Sequence, residues 1–254
     1  MTSVLHGRKN FSTYQFVLCA SFLLWFNAGT AVAQQNGSRP GASILKATRA
    51  TGPIKLDGKL DEDAWRNAEA VVELVQQSPK PREDTPYKTK VRVLVTDDSL
   101  YFGFDCTDPD PSRIATHTMA RDGDLTGDDT VAVVLDPYGD KRTAFYFRIN
   151  SVAARVDGLI AGLGDPSLDW DGIWDAATAR SDKGWSAEIV IPALTLSFKR
   201  GLSQWGINFE RTIARDRTVL RWASPTLDSI FYDMSRAWLL DGVGDLKQGK
   251  GLEV

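Results

Sequence analysis

The chain has 254 residues, with 30 Lys and Arg against 33 Asp and Glu and a formal net charge of −3. That mild acidity argues against a nucleic-acid binder, whose phosphate contacts need dense cationic surface. Two cysteines and two histidines in the whole chain leave almost no room for a zinc cage or a nucleophilic triad.

Residues 1–33 read as an export leader, because Arg8 and Lys9 precede an apolar run over 16–26 and the triplet Ala31, Val32, Ala33 supplies a cleavage site. The run is shorter than the roughly 20 residues of a membrane span, so the expected product is a soluble protein of the periplasm, the outer surface or the medium. Cleavage leaves Cys106 as the remaining cysteine. Stability must then come from a core and not from a disulfide. Residues 34–46, with Gly37, Ser38, Pro40 and Gly41 among polar neighbours, are expected to be a flexible tether, and the folded domain to run over 47–254.

Ile54 and Leu56 before Asp57-Gly58 suggest a short strand closed by a turn. A short helix is expected over 61–68, with Asp61, Glu62 and Asp63 in its positive first turn and Ala64, Trp65 and Ala68 on one apolar face. From there the period changes to two. Val91, Val93 and Val95 alternate with Arg92 and Leu94, and residues 100–104 return after a turn at 97–99. Residues 130–135 and 143–149 form a second hairpin around Pro137 and Gly139, which 155–159 extends, and further strands are expected at 185–191, 205–213, 219–222 and 237–240. Short strands at near-regular spacing with one short helix are the pattern of an all-β antiparallel sandwich, jelly-roll-like in outline.

Eight tryptophans are high usage, and indole faces stack well on sugar rings while Asp, Asn and Arg bond hydroxyls. Residues 169–175 place Trp170 and Trp174 among Asp169, Asp171 and Asp175. They read either as a ligand edge or as aromatic plugs at the end of the sandwich. Trp185, Trp205 and Trp222 sit in strand patterns and are expected in the core. Asp122, Asp124, Asp128 and Asp129 crowd a glycine-bearing loop of the kind that suits calcium. The alternative is a solvated turn in which Asp129 pairs with Arg121. No haem, zinc or nucleotide is expected: His117 and Met119 are the closest haem-type pair, and no glycine-rich phosphate loop opens a helix. Glu188 and Glu210 lie inside strands and need partners such as Arg148, Arg211 or Arg215.

Several runs in order resemble the family 9 carbohydrate-binding modules: Ile54 to Glu62 with Trp65, Val91 to Tyr101, Asp129 to Asp136, Phe147 to Asn150, Trp185 with Glu188 and Pro192, and Trp205 to Asn208. The resemblance spans nearly all of 47–254 and implies a β-sandwich that binds a glycan. It implies sugar contacts at Arg148, Asn150 and Asn208, with a first clamp position at Thr126, a late one near Phe231, and Ala132 where an acid is expected. Trp170 or Trp174 could replace the missing platform. The branch that fits best precedes a long β-rich region, so a docking domain for an outer-membrane partner is a second expectation. Because such modules travel with enzymes, part of a hydrolase of O-glycosyl bonds is a third. Period two puts Arg148 and Asn150 on one face of their strand, and Phe147 and Ile149 on the other.

Overall fold

The computed structural model describes residues 43–68, 70–72 and 74–248; the expected leader and most of the expected tether lie outside them. In chain order the elements are β1 (Ile44–Lys46), β2 (Thr48–Arg49), α1 (Asp63–Arg66), β3 (Ala70–Val72), β4 (Val75–Ser78), β5 (Thr89–Val95), β6 (Ser99–Thr107) and β7 (Thr130–Asp136). Then come β8 (Thr143–Asn150), β9 (Arg155–Ala161), β10 (Asp175–Ser181), β11 (Gly184–Pro192), β12 (Gln204–Ile213), β13 (Thr218–Arg221) and β14 (Trp238–Asp241).

Two sheets pack face to face. The first runs β1-β14-β12-β7-β8-β9, with β13 beside β12 and β4 beside β13; the second runs β10-β11-β6-β5-β2, with β3 also on β5. The ten-residue β12 pairs along one edge with β7, over Gly206 to Thr212, and divides the other edge between β14 and β13. Inward residues alternate as expected. Val131, Val133, Phe145, Phe147, Ile207 and Phe209 of the first sheet meet Val91, Val93, Phe102, Phe104, Ala187 and Ile189 of the second in one buried cluster. Phe209 stands edge-on to Phe102 and Phe104, at centroid distances of 6.1 and 5.8 Å, the arrangement aromatic quadrupoles favour. Trp185, Trp205 and Trp222 are core residues, as the strand pattern required.

The sheets are mixed and not purely antiparallel. β1 runs parallel to β14, and β2 parallel to β5. Ile44–Lys46, assigned by composition to the tether, is therefore a strand with Leu45 only 3% exposed. The helix is a single turn, Asp63–Arg66, shorter than 61–68. No strand forms over 54–58, because Glu188 takes the backbone there: its Oε2 accepts from Asp57 N at 2.9 Å and from Gly58 N at 2.7 Å, while Oε1 accepts from Trp65 Nε1 at 2.9 Å. Gly58 has φ +83° and passes so close to β10 that a Cβ would lie 2.2 Å from the Thr178 carbonyl carbon. The turn thus needs glycine on two counts. With Trp65 and Leu60 packed over Gly103 of β6, this segment seals the outer face of the second sheet.

Candidate functional site

The outer face of the first sheet is built differently. Cross-strand pairing lays down a row Arg221, Glu210, Ala132, Arg148, Val156 across β13, β12, β7, β8 and β9. The neighbouring rows on the same face are Asn208, Val134, Tyr146, Gly158 and Thr212, Thr130, Asn150. Three loops rise around this floor: 122–126 before β7, 165–168 after β9 and 229–232 between β13 and β14. They enclose a hollow of about 640 Å³, within the range that holds small ligands.

At its floor Arg148 Nε donates to Thr130 Oγ1 at 3.0 Å. Among the described residues Arg148 forms no ion pair. The acid of its row, Glu210, is taken by Arg221 Nε at 2.7 Å, and Ala132 stands between them. Arg221 also donates from Nη1 to Ser229 O at 2.7 Å and lies over the Phe231 ring, 5.8 Å from its centroid. Tyr146 meets Phe231 edge-on at 6.3 Å, and burial pushes its hydroxyl pKa up to about 12. Tyr232 donates to Asp165 Oδ1, tying two of the loops together; burial first, and that carboxylate second, raise its pKa to about 12. Asp124 caps Thr126 with bonds to its N at 2.9 Å and its Oγ1 at 2.5 Å. Those bonds hold the Asp124 carboxyl below its ordinary range. The floor thus offers a guanidinium, a phenol and a paired acid, and the walls offer a second phenol, the Phe231 ring and aliphatic groups.

Of the residues singled out in the sequence, Arg148, Thr126, Phe231, Asp122 and Asp124 line the hollow. Asn150 and Asn208 lie on the same face but serve the frame. Asn150 Nδ2 donates to Thr118 O at 2.7 Å and Asp128 Oδ2 at 2.8 Å, and its Oδ1 accepts from Val152 N and Ala154 N. That is every hydrogen bond an amide side chain can make. Asn208 is bonded through Nδ2 and Oδ1 to both backbone groups of Ala223, pinning the loop after β13. Trp170 and Trp174 are on the other side of the sheet: Trp170 packs on Phe145 at 5.0 Å, and Trp174, 5% exposed, on Phe147 at 5.1 Å. They close the edge of the core, the plug alternative.

The four aspartates expected to share a calcium do not converge. Asp128 is buried and accepts from His117 N at 2.6 Å, His117 Nδ1 at 2.8 Å, Thr118 N at 3.2 Å and Asn150. Burial opposes its ionisation, yet the bonds from Asn150 and His117 hold its pKa below the ordinary value. Asp129 is buried elsewhere and accepts from Ala214 N at 3.0 Å; burial raises its pKa. It does not pair with Arg121. Asp122 instead joins Asp157 and Asp171, whose oxygens lie within 4.8 Å of one another and could hold a metal ion. Arg121 already stands among them, 2.8 Å from Asp157, 3.1 Å from Asp171 and 3.2 Å from Asp122. Tyr146, Tyr232, Glu210 with Arg221, Leu168 and Ile230 were not foreseen in the hollow. Period two from Arg148 could have found Tyr146; the loop residues carry no local signal.

Solved structures share this architecture. A candidate carbohydrate-binding protein from Bacteroides uniformis superposes with a TM-score of 0.61 at 12% identity, covering 79% of this chain and 99% of its own. A family 9 carbohydrate-binding module from Caldicellulosiruptor kristjanssonii in complex with cellotriose gives 0.55 at 18% identity, covering 84% and 97%. The module from that organism in complex with glucose gives 0.56 at 18%, covering 84% and 99%. No curated protein sequence matches significantly. The carbohydrate family 9 binding domain-like family matches residues 56–234, from the turn held by Glu188 to the far wall of the hollow, and the chain belongs to that family.

Proposed function

We propose that this chain is an exported glycan-binding module that holds a sugar in the hollow on the outer face of the first sheet. The observation that carries the reading is Arg148: a guanidinium on the floor of a concave site, fixed through Nε and without an acid partner. Such a group is free to donate to ligand oxygens. The family match supports it, as do the relatives solved with cellotriose and glucose. Tyr146 and Tyr232 add hydroxyls that stay protonated at neutral pH and can donate or accept. Phe231 and the aliphatic walls meet the C–H faces of the ring. The role is binding and not bond cleavage, at the periplasm, the cell surface or outside the cell.

A glycan array probed with the full chain, followed by calorimetric titration of the hits, tests this. Binding that Arg148→Ala weakens at least tenfold is the expected result. Silence across neutral and acidic glycans overturns it and favours docking to an outer-membrane protein. Release of reducing sugar from a bound glycan would make the chain a hydrolase.

A further inference from the structure

The apolar side chains that the hollow exposes most are aliphatic, and the Tyr146 and Tyr232 rings beside them are half-buried. Its aromatic wall, Phe231, is only 4% exposed, covered on one side by the Arg221 guanidinium. Leu168 and Ile230 line the hollow at 50% and 40% exposure. Both are held in place. Leu159 and Ser167 exchange two backbone hydrogen bonds, of 2.9 and 2.8 Å, which lay the loop along β9. Gly158 makes room for it: a Cβ there would lie 2.6 Å from Ser167 O and 3.1 Å from Leu168 Cδ2. Ile230 follows Ser229, whose carbonyl Arg221 grips at 2.7 Å. A flat indole suits the broad face of a sugar ring, whereas two separate branched side chains suit a small apolar projection from it. The charge around them narrows the choice further. Asp122, Asp124, Asp165 and Glu210 line the hollow against Arg148 and Arg221, so an added negative charge is disfavoured.

We infer that the hollow selects a neutral sugar carrying a methyl group, which Leu168 and Ile230 receive while Arg148 bonds the ring hydroxyls. The methyl comes either from C6 of a 6-deoxyhexose or from an acetyl substituent. The inference rests on the glycan reading above and adds to it the class of sugar.

Calorimetric titration of the full chain with matched pairs tests it: D-glucose with 6-deoxy-D-glucose, L-galactose with L-fucose, L-mannose with L-rhamnose, and D-glucose with N-acetyl-D-glucosamine. D-Glucuronate is the charged control. At least one methyl-bearing sugar is expected to bind roughly tenfold tighter than its parent, because an apolar pocket that receives the methyl would have to desolvate the parent's hydroxyl there. Which pair shows the ratio identifies the source of the methyl, and glucuronate is expected to bind more weakly than glucose. Leu168→Ser and Ile230→Ser should each bring the ratio toward one, with thermal melts showing that the variants are folded. Hexoses that bind with no preference for the methylated partner, or a preference that survives in both variants, would overturn this inference and leave the glycan reading standing. Failure of every one of these sugars to bind would also overturn this inference, and the glycan array would then decide the glycan reading.

Discussion

The two outer faces of the sandwich carry the same kind of group and treat it in opposite ways. On the second sheet Glu188 is fully buried beneath the 54–68 segment, its oxygens filled by Trp65 Nε1 and the amides of Asp57 and Gly58. On the first sheet Glu210 is half-buried, its one ion pair crosses to Arg221, and the ground beside it is open to the hollow. A carboxylate served by backbone and indole N–H groups from one covering segment closes a face. A carboxylate served by a neighbouring strand leaves the face free to take a ligand. The covered face belongs to stability, and the open face is the one proposed for recognition.

Substitutions should separate the two faces. The largest effect is expected from Trp65→Ala, which removes a fully buried indole and the donor to Glu188. Chemical denaturation should show a loss of roughly 3 to 5 kcal/mol, with glycan affinity unchanged wherever the protein is folded. Weakened binding at that distance would dissolve the contrast. Next comes Arg148→Ala on the open face. Its loss should weaken glycan binding by roughly tenfold to a hundredfold, the worth of a charge-assisted hydrogen bond, while stability stays within about 1 kcal/mol. A stability loss of several kcal/mol with binding intact would move Arg148 to the structural side.

Asp128 tests the frame between the faces and the hollow. Asp128→Asn leaves two donors, the part-buried Thr118 N and the buried Asn150 Nδ2, facing an amide, and should lower stability by roughly 1 to 2 kcal/mol near neutral pH. Its sign with pH is fixed. The folded-state pKa of Asp128 is depressed, so the wild-type contribution is present above the unfolded value of about 3.9 and fades as pH falls toward the folded value. The difference between wild type and variant should shrink below about pH 4 in urea titrations; a difference constant from pH 3 to 7 would remove Asp128 from this role. The smallest effect concerns the acidic group at Asp122, Asp157 and Asp171. Because Arg121 already supplies its counter-charge, millimolar calcium or a chelator should shift the melting temperature by no more than about 1 °C. Arg121→Ala, which leaves the buried Asp157 without its guanidinium, should make the melt calcium-sensitive.

Strands such as β5, β8 and β12 were legible because one side of each faces a single core, so apolar and polar residues alternate, and β7, buried along its whole length, because a short apolar run ends at a turn. β10 was not, since Asp175–Ser181 is alanine-rich and half-exposed throughout and shows no alternation. The 54–58 stretch carried a strand-like pattern, and its partner, Glu188, lies 130 residues away in sequence from Gly58. In the site, period two placed Arg148 and Asn150 on one face correctly. What each does there depends on the 114–129 loop, which takes both Nδ2 hydrogens of Asn150, and on the 151–154 turn, which fills its Oδ1, while neither gives Arg148 a partner. The four aspartates looked alike in sequence because acid density is local, whereas Asp124 caps the nearby Thr126 and the surroundings of the other three, Asn150, Ala214 and Arg121 with Asp157, come from several separate parts of the chain.

The first strands join what the rest of the chain keeps apart. Between β1, laid parallel on β14, and β2, laid parallel on β5, the chain crosses from one sheet to the other at Ala47, whose N–H bonds Asp241 O at 2.9 Å. The partner of this clasp on the first sheet is the last strand of the described chain, so the loop it closes contains almost everything in between. Contacts of such sequence separation form late and slowly, because the chain entropy must be given up before they can be made. A chain delivered N-terminus first therefore carries an unlatched clasp until β14 arrives. During that interval the edge of β14's future neighbour, β12, is open to any other strand that reaches it first.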